Sequence, residues 1–183
     1  MMKSIITLLI TVFSLSAFSE EIPPQIYKIV PSLNALGADP LIIEAVNKQN
    51  AQHASLDSIK QLDKQWRATQ GLSSEMKAMM NNKAALRLSE FEQTKSYFFE
   101  LFLMDNQGAN VAMTNKTSDY WQGDEAKWKE SFKGGKGAVH IGDIEFDESA
   151  QDYLIQVSVP VMEGNKAIGA ITIGINLDEL EAQ

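Results

Sequence analysis

Apolar positions along this chain change period once, and that change divides it. Between about Pro40 and Thr69, Ile42, Val46, Gln49, His53, Leu56, Ile59, Leu62 and Trp66 recur at three- and four-residue steps, which predicts one long amphipathic helix. Gly71 suits its C-terminal cap. Ser73 or Ser74 can cap a second helix that carries Met76, Met80, Ala84, Leu88 and Phe91 on one face and ends near Lys95. After Ser96 the pattern turns to that of strands. Tyr97 to Leu103 is a dense apolar run closed by Asp105, Asn106, Gln107 and Gly108, and Asn110 to Thr114 returns as the second arm of a hairpin.

Three further strands follow a polar connection from Asn115 to Gly135, which carries a short helical patch over Asp124 to Phe132. The third strand spans Gly137 to Phe146. Its apolar parity switches between Ile141 and Ile144, so Gly142 marks a bulge. Tyr153 to Val161 puts Ile155, Val157, Val159 and Val161 on one face, and Lys166 to Asn176 does the same with Ile171, Ile173 and Ile175. Gly164 and Asn165 form the turn between them, and Pro160 belongs at a strand end or an unpaired position, since it cannot donate to a ladder. The order predicts an α+β fold in which a long N-terminal helix pair packs on a five-stranded antiparallel sheet.

The N-terminus lies outside this plan. Lys3, the apolar run from Ile5, and Ala17 and Ser19 have the layout of an export signal over residues 1–19, cleaved after Ser19. An uncleaved anchor is the alternative, although a run from Ile5 to Phe18 falls short of the ~20 residues that span a bilayer. Residues 20–39 hold Pro23, Pro24, Pro31 and Gly37 and read as a lead-in linker, which leaves 40–183 as a single domain in the periplasm.

Charge and composition narrow the partners. With 16 basic and 24 acidic residues the chain carries a net charge of −8, which disfavours nucleic acid and anionic lipid. It contains no cysteine, so disulfides and thiolate-held zinc are excluded.

Catalytic chemistry finds little support. There is no G-x-S-x-G elbow, and the two histidines, His53 and His140, lie far apart. Gly134, Gly135 and Gly137 lack the spacing of a phosphate loop, and the expectation is a protein without cofactor or enzymatic activity. Asp143, Glu145, Asp147 and Glu148 could hold a hard cation or simply form a solvated hairpin tip; the tip fits the spacing better, and no metal site is expected. His53 reads as a contact residue on the helix stripe. The stretch from Asp119 to Trp128 is more informative, because Tyr120, Trp121 and Trp128 stand in an otherwise polar connection. They could wall a pocket in which Lys127 neutralises a ligand carboxylate, or they could seal the connection onto the sheet.

At these residues the chain resembles the extracytoplasmic Cache sensor family, in its single-module, PAS-like form with a PhoQ-DcuS-CitA type fold. The resemblance runs from roughly Pro40 to Leu180. It rests on the long N-terminal helix, on Thr117 to Trp121 entering a short helix, and on the strand pair Gln156 to Val161 and Ala167 to Ile171. It implies a sensor-like module that binds a small carboxylate or amino acid between the sheet and the segment joining strands two and three. Carried onto this sequence, it makes Thr114, Asp119, Tyr120, Trp121, Lys127, Trp128 and His140 the ligand-binding candidates, with Lys127 the anion partner. The chain stops a few residues after Asn176, so the expectation is that no output domain follows. A signal would pass to a membrane-bound partner, with a homodimer through the N-terminal helix as a further possibility. The contrasting expectation is an interaction protein with no small-molecule site, using the helix stripe to pack on another subunit.

Overall fold

A computed structural model describes residues 21–147 and 151–183; the expected export signal lies outside the described residues. Five helices come first, α1 (Pro24–Gly37), α2 (Pro40–Asn50), α3 (Leu56–Ala68), α4 (Ser74–Asn81) and α5 (Lys83–Glu92). The hairpin β1 (Phe98–Met104) and β2 (Asn110–Met113) follows, then α6 (Ala126–Phe132), β3 (His140–Asp147), β4 (Asp152–Glu163), β5 (Lys166–Asn176) and α7 (Leu177–Glu181). The five strands form one antiparallel sheet in the order β2-β1-β5-β4-β3. The expected α+β plan and its sheet are therefore present.

The helices are more broken than their periodicity suggests. The stripe from Ile42 to Trp66 belongs to two helices, because the chain turns at His53, whose φ is 49°. Ser55 then caps α3 by accepting the Ser58 N–H at 3.2 Å. Leu56 and His53 are exposed and do not join the stripe. The second predicted helix divides at Asn82, which is extended. Its side chain caps α5 at Ala85 N (2.8 Å) and donates to Val111 O on β2 (2.9 Å), so a tertiary bond competes with helix continuation.

Residues 20–39, read as a linker, contain α1. Pro24 sits in the first turn, where its missing N–H costs nothing. Pro31 does cost an interior bond. Burial of Ile26, Leu33 and Leu36 against the sheet offsets that cost, since each is at most 2% exposed.

Each sheet face has its own core. Ile155, Val157 and Val159 of β4, Ile171, Ile173 and Ile175 of β5, and Leu101 and Leu103 of β1 pack under α1, α2 and α5. On the opposite face Phe102, Met104 and Ala170 meet Ile59, Trp66, Met76 and Tyr120. The rest of that second face is small or polar, with Glu100, Gln156, Ser158, Thr172 and Gly174 in place of aliphatic side chains. Pro160 pairs opposite Ala170 beyond the point where β3 ends its pairing at Ser158, where β4 has lost one neighbour. The register of β3 slips between Ile141 and Ile144, around Gly142.

Candidate functional site

A row of three residues crosses the polar face. Glu100 on β1 and Gln156 on β4 both lie opposite Gly174 on β5. Because Gly174 has no side chain, Gln156 Nε2 reaches across it to donate to Glu100 Oε1 at 3.2 Å. A Cβ on Gly174 would come within 2.7 Å of Glu100 Cγ, so the glycine is required by the bond above it. One row along, the Ser158 and Thr172 hydroxyls are 2.8 Å apart and fully buried.

The connection between β2 and β3 is fastened over this face by four sets of bonds. Asp63 of α3 accepts the backbone N–H groups of Tyr120 (3.0 Å) and Trp121 (3.1 Å) on one carboxylate oxygen. Its other oxygen pairs with Arg67 at 2.9 Å. Trp66 donates its indole N–H to Thr117 O (2.9 Å) and lies 5.6 Å from the Tyr120 ring. Asn110 donates to Thr117 Oγ1 (2.7 Å) and Asp119 O (3.1 Å). Finally, Trp121 and Trp128 donate their indole N–H groups to Gln107 O (2.7 Å) and Asp105 O (3.0 Å), in the turn between β1 and β2. Asp105 shapes that turn by accepting Gln107 N and Ala109 N.

Between connection and sheet lies an inner cavity of about 270 Å³, lined by Glu100, Phe102, Lys116, Thr117, Ser118, Gln122, Lys127, Asp147 and Gln156. An outer cavity of about 310 Å³ shares Lys127, Asp147 and Gln156 with it and extends along β3 past His140, Asp143 and Glu145. A third, of about 430 Å³, opens between α3 and the connection beside Lys60, Arg67, Asp119 and Trp121.

Charge in this region is arranged unlike the expectation. Lys127 pairs with Glu125 at 2.9 Å and stands 5.6 Å from the Phe102 ring centroid. Lys116 donates to the carbonyls of Thr69 (3.0 Å) and Gly71 (3.2 Å). Both ammonium groups thus have partners. Burial pushes the Glu100 carboxyl above its ordinary value; Asp147 adds to this, while Gln156 and Lys127 act against it. Gln122 is 1% exposed and donates through Nε2 to Asp119 O at 3.0 Å, but its Oε1 has no partner among the described residues. A buried acceptor without a donor is costly, and the residue that carries it is part of the inner cavity's lining.

The seven residues singled out from the sequence do not converge. Lys127 lines both the inner and outer cavities, His140 lines the outer one, and Asp119 and Trp121 line the third. Thr114, Tyr120 and Trp128 line none of these three. Thr114 accepts Leu101 N and donates to Glu92. Tyr120 is 7% exposed, and burial, with Asp105 nearby, pushes its hydroxyl up to about 12. The expected aromatic-walled hollow is instead largely polar, because the indoles are committed to the turn carbonyls and only Phe102 gives the inner cavity a ring. Glu100, Lys116, Gln122 and Gln156 escaped notice. A signal existed for one of them: Gln156 and Ser158 alternate with Ile155, Val157 and Val159, a polar parity in a strand covered on both faces.

The family model of the methyl-accepting chemotaxis protein-like, first PDC sensor domain matches residues 70–182. Among solved structures, the chain is similar to the sensor domain of the V. cholerae histidine kinase DctB, at 11% identity and a TM-score of 0.48, covering 86% of this chain and 53% of that one. It is also similar to the sensory domain of the Campylobacter jejuni chemoreceptor Tlp3 (14% identity, TM-score 0.42, 86% and 64% covered). A third is the ligand-binding domain of the Pseudomonas aeruginosa PAO1 amino acid chemoreceptor PctC in complex with GABA (14% identity, TM-score 0.39, 85% and 63% covered). The chain therefore spans about half of the first of these and less than two thirds of the other two. No curated protein sequence matches it.

Proposed function

The chain belongs to the methyl-accepting chemotaxis protein-like first PDC sensor domain family, whose model covers more than half of it, and from that premise we propose that it is a periplasmic sensor module binding a small amino-acid-like molecule in the inner cavity. One observation carries the choice of ligand. Gln122, whose buried Oε1 has no donor among the described residues, lines the inner cavity together with Glu100, whereas the ammonium groups of Lys116 and Lys127 have partners. An amino group completes such a site, and a bare carboxylate does not. The residues proposed for contact are Glu100, Thr117, Gln122, Lys127 and Gln156, which line that cavity, with His140 in the adjoining outer one. Thr114, Asp119, Tyr120, Trp121 and Trp128 serve by holding the connection in place. Export through the leader at 1–19 puts the module in the periplasm, where occupancy is passed to a membrane-bound signalling partner and two copies associate through the N-terminal helices.

A thermal-shift screen of amino acids and short carboxylates tests the reading. A ligand at about 100 times its Kd stabilises the native state by about 2.7 kcal/mol, a rise of about 5–11 °C in Tm for a chain of this size. The rise should vanish in Glu100→Ala. A broad panel that leaves Tm unmoved would remove the proposal.

A further inference from the structure

The inner and outer cavities share Lys127, Asp147 and Gln156 in their lining and so form one recess. Lys127 belongs to α6, which lies across β3, β4 and β5 and supplies part of the lining of both cavities. A helix docked on a sheet is ordinarily held by an apolar stripe. Of the seven residues of α6 only Ser131 is buried, and its Oγ has no hydrogen-bond partner among the described residues. The docked position therefore desolvates a hydroxyl without returning a bond, which favours release. Trp128 opposes that release. It packs against the core of the second face, donates its indole N–H to Asp105 O at 3.0 Å, and carries the Phe132 ring stacked on it at 4.9 Å. The two ends of the segment differ. Before α6 the chain is fixed, since Gln122 donates its N–H to Gly108 O at 2.8 Å and a Cβ on Gly123 would collide with the Gln107 carbonyl. After α6, Lys133, Gly134, Gly135 and Gly137 all have positive φ, of 50°, 61°, 84° and 73°. No atom lies within 4 Å of where a Cβ on Gly134 would stand, so packing does not hold the chain there.

We propose that α6 is a hinged cover of the recess: it lifts as a unit, turning about residues 133–137 and released at the Trp128–Asp105 bond, while the sheet stays formed. Lifting takes Lys127 out of both cavities and returns the Ser131 hydroxyl to water. The ladders of β3, β4 and β5 are untouched, so the motion belongs to the local openings that lie below global unfolding in free energy. What the opening admits rests on the sensor reading; the opening itself does not.

The chain has no native cysteine, so single thiols report on chosen positions. Ser131→Cys puts one on the buried side of α6, and Ala85→Cys puts one in the core of the opposite face, where Ala85 is wholly buried. Each full-chain variant is labelled with an aromatic disulfide, with and without urea below the unfolding transition. Ser131→Cys should label at least about a hundredfold faster than Ala85→Cys, at a rate that urea hardly changes, because a local opening exposes little surface. Overpacking at Ala85 would speed its labelling and so works against this result. Adding Trp128→Phe, which keeps a ring and removes the N–H, should speed labelling of Ser131→Cys about tenfold. Hydrogen exchange of the parent reads the same motion without a thiol: α6 amides should exchange ahead of those of β4 and β5, and Ser131→Ala should slow them about tenfold by removing the unpartnered hydroxyl. Equal labelling at the two positions, equally steep urea dependence, or α6 amides that exchange only together with β4 and β5 overturns the cover. A silent amino-acid screen beside fast labelling of Ser131→Cys would remove the sensor reading and leave the cover standing, and the converse pair of results would remove the cover alone.

Discussion

Asp63 holds the connection to the helical layer through bonds that can be removed one class at a time. It is 4% exposed, and its Oδ1 serves the N–H groups of Tyr120, which is buried, and Trp121, which is half-buried. Asp63→Ala leaves two backbone donors without an acceptor, at a cost of about 1–3 kcal/mol for a buried one and less for the other. The lost pair with Arg67 adds little, because the Arg67 side chain is 56% exposed. The sum is about 3 kcal/mol, or a fall of about 6–12 °C in Tm. Asp63→Asn keeps an oxygen where both N–H groups point and gives up only the charge, so it should cost about 1 kcal/mol or less. Urea melts of the two variants and of Arg67→Ala separate these contributions. If Ala and Asn cost the same, or if Ala costs less than about 1 kcal/mol, the connection is not held by this carboxylate and the account of the inner cavity's roof is wrong.

Two further outcomes follow from the sheet. Glu100 has its carboxyl raised in the folded state, so the folding penalty is full above that raised value and absent below the unfolded one. Glu100→Gln should therefore raise Tm at neutral pH and leave it unchanged near about pH 3.5, where the parent carboxyl is protonated in both states; an equal gain at both pH values would show that the effect is not ionisation. Gly169→Ala should destabilise by about 1–3 kcal/mol in chemical denaturation, because its Cβ would run into the Met104 carbonyl on β1 and press on Val46 of α2. A neutral result there would mean that β1 and β5 yield more readily than a packed interior does.

The strands were readable because their signal is local. Alternation in Ile155 to Val161 and in Ile171 to Ile175, and the Gly164 and Asn165 turn, depend on neighbours two residues apart. Helix ends were harder, since they were decided by partners distant in the chain. Asn82 breaks a helix while bonding Val111, and Asn50 anchors the end of α2 by donating to Ile168 O and accepting Asn106 N. The segment holding α1 was hidden by its prolines, although Ile26, Leu33 and Leu36 carried the spacing of a buried stripe. At the site, the large aromatic residues drew attention to the right segment for a different reason. Trp121 and Trp128 are there for their N–H groups as much as for their rings. The ionic partner of Lys127 was two residues away, but its consequence emerged only once Glu100 and Gln122 were placed beside it.

Glu100 rests against Gly174, and two residues later Asn176 closes β5 and caps α7 by accepting the Glu179 N–H at 2.9 Å. The floor of the recess and the mount of the last helix are thus one short piece of backbone. Only Ile175 separates the strand residue that passes beneath the Glu100–Gln156 bond from the residue that caps the last helix.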